Sequence, residues 1–188
     1  MSEVFVVTEA RRMDTKVAEP LVGPPDVAGT AKVILTQAME YCAQKMRLGS
    51  WQIVINRLME GDGRACEYCH YSVAKQVAET LGTLDDNIKA IYIHDYDATP
   101  EDLCFGEAGR ALPIHLLVWA QPKTAALKVL VETWDRALAQ GYAEMIGGRQ
   151  FESVLDVQVL DDADVENRTG HGALLSSLHH RPLQVWKR

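Results

Sequence analysis

The chain of 188 residues has the length of one ordinary domain with terminal arms, and it is too short for two full domains. Its net charge of −7, without a stripe of Lys and Arg, argues against nucleic-acid binding, because phosphate contacts need clustered positive charge. Hydrophobic residues at 47% and charged residues at 24% are typical of a folded globular domain. We do not expect a membrane protein, because no apolar run approaches the roughly 20 residues that a helix needs to cross a bilayer.

The beginning of the chain lacks the basic and apolar segments of a secretory signal, so we expect the protein in the cytoplasm. In that compartment the four cysteines indicate metal ligands, redox thiols or core packing before they indicate structural disulfides. Residues 1–26 are predicted to form an N-terminal arm, because Pro20, Pro24 and Pro25 oppose a regular helix there. A single core domain is predicted over residues 27–160, followed by a C-terminal tail over residues 161–188.

The first predicted element is a helix from Asp26 or Val27 to Leu48, with Gly49 suited to the position just after a helix. Apolar residues then alternate from Trp51 to Met59, which predicts a strand. The later predicted elements are a helix closed by Gly82, a strand over 88–96, a strand over 112–120, a helix over 122–146 and a strand over 154–160.

From residue 51 the order is strand, helix, strand, strand, helix, strand, which is the α+β, ferredoxin-like split βαβ (βαββαβ) pattern with an extra N-terminal helix. The first and third of these strands are the more apolar pair, as the central strands of that fold would be. A doubly wound parallel sheet is disfavoured, because the connection between the second and third strands holds little helix. Two open sheet edges predict a homo-oligomer or another protein partner that covers them.

The sharpest motif is the run from Cys66 to His70, with two thiols at C-x-x-C spacing. Two such thiols can bind one metal ion from a turn. In the ferredoxin-like topology, the loop that holds Cys66, Cys69 and His70 shares a sheet edge with His94 and with the connection that holds Cys104. The sequence therefore predicts a zinc site formed by the three cysteines and either His94 or His70, since Cys₃His is a common tetrahedral set. Its role would be structural, sensing or carrier.

A strand followed by C-x-x-C and a helix in a ferredoxin-like unit resembles the heavy-metal-associated domains, which carry soft ions between copper proteins. The likeness covers about residues 51–96. Those domains usually have Gly-Met-x before the first cysteine, where this chain has Gly63-Arg64-Ala65, and Cys104 has no counterpart in their pattern. The resemblance implies metal binding and does not assign copper transport.

Other interpretations of the cysteines stay open. A thiol-disulfide oxidoreductase would use Cys66 as the attacking thiolate and Cys69 as the resolving thiol, since a helix start lowers a thiol pKa. An iron–sulfur cluster or haem is not excluded, because Cys66 to His70 also matches the C-x-x-C-H haem attachment pattern. The cysteines could instead pack as small hydrophobic residues, as we expect for Cys42. The protein would then be a non-catalytic accessory or scaffold subunit of a larger complex.

The remaining polar residues carry weaker signals. His115, within the apolar third strand, is interpreted as a buried imidazole with satisfied hydrogen bonds and not as a ligand. The acidic run from Asp161 to Glu166 lacks the calcium-loop pattern and is interpreted as a solvated turn. The sequence does not place His179 and His180 relative to the sheet, and it contains no G-x-S-x-G hydrolase motif.

Overall fold

The computed structural model describes residues 26–94, 114–147, 151–179 and 181–188. In these ranges the protein has a mixed α+β fold, with several helices and a four-stranded sheet. The helices are α1 (Val27–Met46), α2 (Trp51–Met59), α3 (Gly63–Leu84), α4 (Ala125–Met145) and α5 (Asp162–Glu166), with a 3-10 helix over Gly170–Ser176. The strands are β1 (Ile88–Ile93), β2 (Ile114–Ala120), β3 (Leu155–Leu160) and β4 (Leu183–Lys187).

The sheet has the strand order β3-β2-β1-β4 and is mixed. Strand β2 pairs parallel with β3 and antiparallel with β1, and β1 pairs antiparallel with β4. Helix α4 joins β2 to β3, because two adjacent parallel strands need a crossover connection. In the sheet as described, β3 and β4 are the edges, and their coverage by a homo-oligomer stays a prediction.

The hydrophobic core lies between one face of the sheet and the helices α1, α3 and α4, with α1 packed against both other helices. Leu116 and Val118 of β2 and Trp134 of α4 are fully or almost fully buried in this core. Since successive strand residues point to opposite faces, Tyr92 and His115 lie on the other side of the sheet, here called the outer face. No helix in the described part of the chain is long and apolar enough to cross a membrane.

Residues 51–59 form helix α2, so the interpretation of this segment as a strand is wrong. The helix buries Val54 and Leu58, which lie four residues apart on one side, whereas Ile53 is 40% exposed. The apolar residues of this short segment fit both a helical and an alternating pattern, and packing against α1 and α3 selects the helical one. The ferredoxin-like arrangement is not confirmed, because its first strand is missing at this position and β2 and β3 are parallel neighbours.

The other predicted helices and strands that fall on described residues are present, and most boundaries shift by a few residues, but the short helix predicted before Gly82 is much longer. The helix predicted to close at Gly82 begins at Gly63 and continues to Leu84, so the C-x-x-C motif is helical and does not lie in a loop. Asp26 caps α1 by accepting a hydrogen bond from the Gly29 amide at 2.9 Å. The predicted N-terminal arm, apart from Asp26, and Cys104 lie outside the described residues.

Strand β4 comes from the segment that the sequence assigned to a tail, and it is fixed at its end by Arg188. The Arg188 guanidinium donates hydrogen bonds to the carbonyls of Gly82 and Ile88 and forms a 2.6 Å ion pair with Asp86. The indole ring of Trp186 fills the space beside Gly82, where a Cβ atom would lie 2.3 Å from a ring carbon. Close contact between α3 and Trp186 therefore needs a residue without a side chain at position 82.

We predict that Gly82→Ala destabilises the protein by about 1–3 kcal/mol, because the added methyl group overpacks the Trp186 contact and outweighs the better helix propensity of alanine. Urea unfolding at neutral pH measures the free energy of unfolding. Gly49→Ala is the matched control, since a Cβ atom at Gly49 meets nothing within 4 Å. Equal stability of the two variants would contradict tight packing between α3 and β4.

Candidate functional site

Cys66 and Cys69 lie on the inner side of α3 and are 0% and 3% exposed. Cys42 of α1 is also buried, and its sulfur lies 3.6 Å from both the Ala65 carbonyl oxygen and the Met46 sulfur. The three cysteines are in the thiol form and lie within the helical layer of the core. Their surroundings are those of small hydrophobic residues.

Burial raises the pKa of the Cys69 thiol to about 12, and the neighbouring Cys42 adds to this shift. Burial also raises the pKa of Cys42 to about 11, with a further contribution from the negative charge of Asp62. The same Asp62 side chain accepts hydrogen bonds from the amides of Arg64 and Ala65 at the beginning of α3. Burial and the nearby negative charge both disfavour the thiolate, which is the form that attacks disulfides and binds metals.

The two histidines that the sequence grouped with these cysteines lie in different parts of the chain's secondary structure. His70 lies beside Cys69 in α3, whereas His94 follows β1 and its ring faces His171 of the 3-10 helix. Among the described residues, no group of three or more His, Cys, Asp or Glu side chains could hold a metal ion. Zinc binding through Cys66, Cys69 and Cys104 stays a prediction, because Cys104 is not among these residues.

The outer face carries a hydrogen-bonded pair of a histidine and a carboxylate. His115 and Asp156 are direct partners in the parallel register of β2 and β3, and His115 Nδ1 lies 3.0 Å from Asp156 Oδ2. The other carboxylate oxygen accepts a hydrogen bond from Gln158 Nε2 at 3.1 Å. The side chains of His115 and Asp156 are 38% and 45% exposed. The prediction of a buried His115 is therefore wrong, although its ring does have a hydrogen-bond partner.

More polar side chains lie at the same end of the sheet. The His94 amide donates to the His115 carbonyl at 2.9 Å, which places these two residues side by side on β1 and β2. The His94 ring is 6.5 Å from the His171 ring, between centroids. Burial raises the pKa of Tyr92, and the positive charge of Arg181 opposes that shift. Arg181 comes two residues before Leu183, the partner of Ile93, and therefore lies at the same end of the sheet. These residues and the His115–Asp156 pair form the outer-face cluster: Tyr92, His94, His115, Asp156, Gln158, His171 and Arg181.

The acidic run occupies the opposite end of the sheet and is paired with lysines. Lys89 contacts Asp162 at 2.6 Å and also lies over the Trp119 ring. Lys123 pairs with Asp161 and Asp164, and it lowers the pKa of Asp164 to about 2. Asp161 also caps α5 through a capping box. The carboxylates of this run thus hold α5 on the sheet, where the sequence suggested a solvated turn.

Asp156 and Arg181 were not recognised as site residues from the sequence. A signal for Asp156 exists: His115 and Asp156 each occupy the second position of a strand, and a helix joins the two strands. Treating this segment as a βαβ unit would have predicted parallel neighbours and hence the pair. Arg181 has no comparable signal, because its position depends on β4, which the sequence analysis did not predict.

No protein-family model matches this chain, and no curated protein or solved structure matches it significantly. The geometry of the described residues is therefore the basis for a functional argument. It offers two candidates, the buried thiols in the helical layer and the outer-face cluster.

We predict that Cys42, Cys66 and Cys69 react with Ellman's reagent at least tenfold more slowly in the folded protein than in urea, because burial excludes the reagent and disfavours the thiolate. The measurement uses the Cys104→Ser variant, in which these are the only thiols. Peptide mapping identifies any cysteine that is labelled. Rapid labelling of Cys66 or Cys69 would contradict the packing role and favour the oxidoreductase hypothesis.

A second prediction concerns His70, because burial lowers the pKa of its imidazole to about 4, with a smaller contribution from His115. Between the ordinary value of 6.5 and about 4, the unfolded chain binds a proton that the folded protein does not bind. The contribution of neutral His70 to the free energy of unfolding is therefore complete above pH 6.5 and is lost as the pH falls toward 4.

We expect the free energy of unfolding to fall by roughly 2–3 kcal/mol more in wild type than in His70→Gln between pH 7 and pH 4. Urea titrations at several pH values measure the two profiles. Carboxylates and the other histidines titrate in both proteins, so the difference between the profiles isolates His70. Parallel profiles would show that the imidazole is not held neutral by folding.

Proposed function

We propose that this protein is a hydrolase in which His115 acts as the general base and Asp156 positions it. The supporting observation is the 3.0 Å contact between His115 Nδ1 and Asp156 Oδ2. When the Nδ1–H group donates a hydrogen bond to the carboxylate, Nε2 is the unprotonated ring nitrogen, as a general base requires. Gln158 holds the second oxygen of Asp156, so the carboxylate and the ring are both restrained.

Water is the proton donor that this arrangement suits best. The side chains of the pair are 38% and 45% exposed, so water reaches them, while the described thiols lie within the core. His115 Nε2 takes a proton from a water molecule, and the water oxygen attacks the electrophilic atom of the substrate. The bond to the leaving group then breaks, and the leaving group receives a proton from an imidazolium.

In this proposal His94 supplies the proton in the second transfer. Its amide is bonded to the carbonyl of His115, so the two residues are neighbours across β1 and β2. Its ring lies 6.5 Å from the ring of His171, between centroids. A base and an acid on adjacent strands can contact the two sides of one scissile bond.

The proposal predicts that His115→Gln lowers the rate of hydrolysis of activated p-nitrophenyl esters, the acetate and the phosphate, by about 100-fold or more. We expect Asp156→Asn to lower the rate as well, because an amide no longer selects the Nδ1–H tautomer. Release of p-nitrophenolate at pH 8 measures the rates. His179→Gln, an exposed histidine on the loop before β4, is the control and should keep the wild-type rate.

A role of Asp156 in positioning the ring has its own readout. Long-range ¹H–¹⁵N spectra report the His115 tautomer, which should change in Asp156→Asn while the unfolding midpoint changes little. A wild-type rate equal to that of His115→Gln for both esters would overturn the proposal. An unchanged tautomer in Asp156→Asn would remove the positioning role of the carboxylate.

A further inference from the structure

The carboxylate of Asp135, in helix α4, holds the beginning of β3. Its Oδ1 atom accepts hydrogen bonds from two successive amides, that of Val154 at 2.7 Å and that of Leu155 at 2.8 Å. Val154 lies directly before the strand, and Leu155 is its first residue. Because an ionised carboxylate binds backbone amides more strongly than a neutral oxygen does, this contact attaches β3 firmly to its crossover helix.

The two attached residues also pair with β2. The Ile114 amide donates to the Val154 carbonyl at 2.7 Å, and Ile114 is the register partner of Leu155. His115 directly follows Ile114 in the sequence, and Asp156 directly follows Leu155. The contact with α4 therefore acts on the residue immediately before Asp156, next to the place where the imidazole and the carboxylate meet.

The helix that supplies this carboxylate is itself fixed by the core. Trp134 and Leu138 of α4 are 1% and 0% exposed, and they belong to the same core as Val154 and Leu155. Since a close-packed interior resists displacement of its side chains, the position of Asp135 on the helix is well determined. A fixed acceptor on a rigid helix can therefore serve as a reference point for the end of the strand.

Asp156 needs such a reference point because it is the second residue of β3. The ends of secondary-structure elements open more readily than their centres. A displacement of about 1 Å would take the 3.0 Å contact with His115 out of the range of a hydrogen bond. Gln158 holds the other oxygen of Asp156, but it belongs to the same strand and moves with it. The attachment to α4 is the contact that fixes this strand end to another element.

We infer that Asp135 is a positioning residue of the His115–Asp156 pair: its carboxylate fixes the beginning of β3 and thereby the distance at which Asp156 meets the imidazole. Asp135 acts through Asp156 and contacts no reacting group. The inference deepens the proposed function, because it concerns the same site, and only its readout by hydrolysis rests on that proposal. The hydrogen bond of the pair and its tautomer can be measured without any substrate.

The first measurement tests the attachment itself, by amide hydrogen exchange of the full chain in NMR. We expect the amides of Val154 and Leu155 to exchange about tenfold faster or more in Asp135→Ala than in wild type. Asp135→Asn keeps an oxygen acceptor and should give an intermediate rate. Glu132→Ala is the matched control, because it also removes a carboxylate from α4, but Glu132 is exposed and lies 3.8 Å from Lys128 of the same helix.

The second measurement follows the His115 tautomer in long-range ¹H–¹⁵N spectra of the folded variants. We expect the Nδ1–H fraction to fall by about twofold or more in Asp135→Ala, to recover in Asp135→Asn and to stay unchanged in Glu132→Ala. A general loss of stability would leave the tautomer of the folded protein unchanged. In an Asp156→Asn background, the additional change Asp135→Ala should have no further effect on the tautomer, because the two residues act in series.

Hydrolysis of the p-nitrophenyl esters is the third readout. We expect Asp135→Ala to lower kcat by about tenfold or more while KM stays within about twofold, since the loss affects the orientation of the base and not the binding of the ester. If wild type and His115→Gln hydrolyse the esters equally, the hydrolase is wrong, whereas the exchange rates and the tautomer still decide the role of Asp135.

Each result for Asp135 has a distinct meaning. Unchanged exchange of the Val154 and Leu155 amides in Asp135→Ala would overturn the attachment. Faster exchange with an unchanged tautomer, or a further tautomer change in the Asp156→Asn background, would overturn the positioning role. Asp135→Glu keeps the charge but moves the acceptor outward by one methylene group. It replaces Asp135→Ala if that variant does not fold, with the same changes in exchange and tautomer expected.

Discussion

The outer-face cluster depends on the hydrogen-bond register of β2 with its two neighbours. The parallel pairing with β3 sets His115 opposite Asp156, and the antiparallel pairing with β1 sets His94 next to His115. A shift of one residue in either pairing would move one partner to the core face, because side chains alternate along a strand. The buried residues of β2, such as Leu116 and Val118, prevent that shift, since it would expose them. The packed side of the sheet thus determines the geometry of its polar side.

The chemistry of the cysteines follows from the same division of the sheet. A C-x-x-C spacing within a helix puts both sulfurs on one side of it, and in α3 that side lies in the core, where α3 packs against α1. Burial there makes Cys66 and Cys69 part of the core and raises the pKa of Cys69. In an exposed loop, the thiols of a C-x-x-C motif would lie outside the core, and burial would not raise their pKa. The secondary structure of the motif, more than its spacing, decides what it can do.

Elements whose apolar residues fit a single periodicity were predictable from the sequence. Elements whose apolar residues fit both a helical and an alternating pattern were not. The long stripe of α4 and the continuous apolar run of β2 fit a single structure each. The segment Trp51–Met59 fits both a strand and a helix, and only contacts with distant residues select between them. Strand β4 is short and its sequence pattern is weak. The contact between Trp186 and Gly82 that positions it joins residues far apart in the sequence. The histidine–carboxylate pair escaped prediction because it needed the correct neighbour of β2.

Strand β4 also affects the order in which the site can form. Its partner β1 precedes it by almost a hundred residues, as in the hydrogen bond from Arg188 to the Ile88 carbonyl. Contacts of such sequence separation close late and slow folding, because a long loop must be ordered first. The His115–Asp156 pair therefore needs only the β2–β3 register, whereas Arg181 reaches the end of β1 only when β4 pairs with that strand.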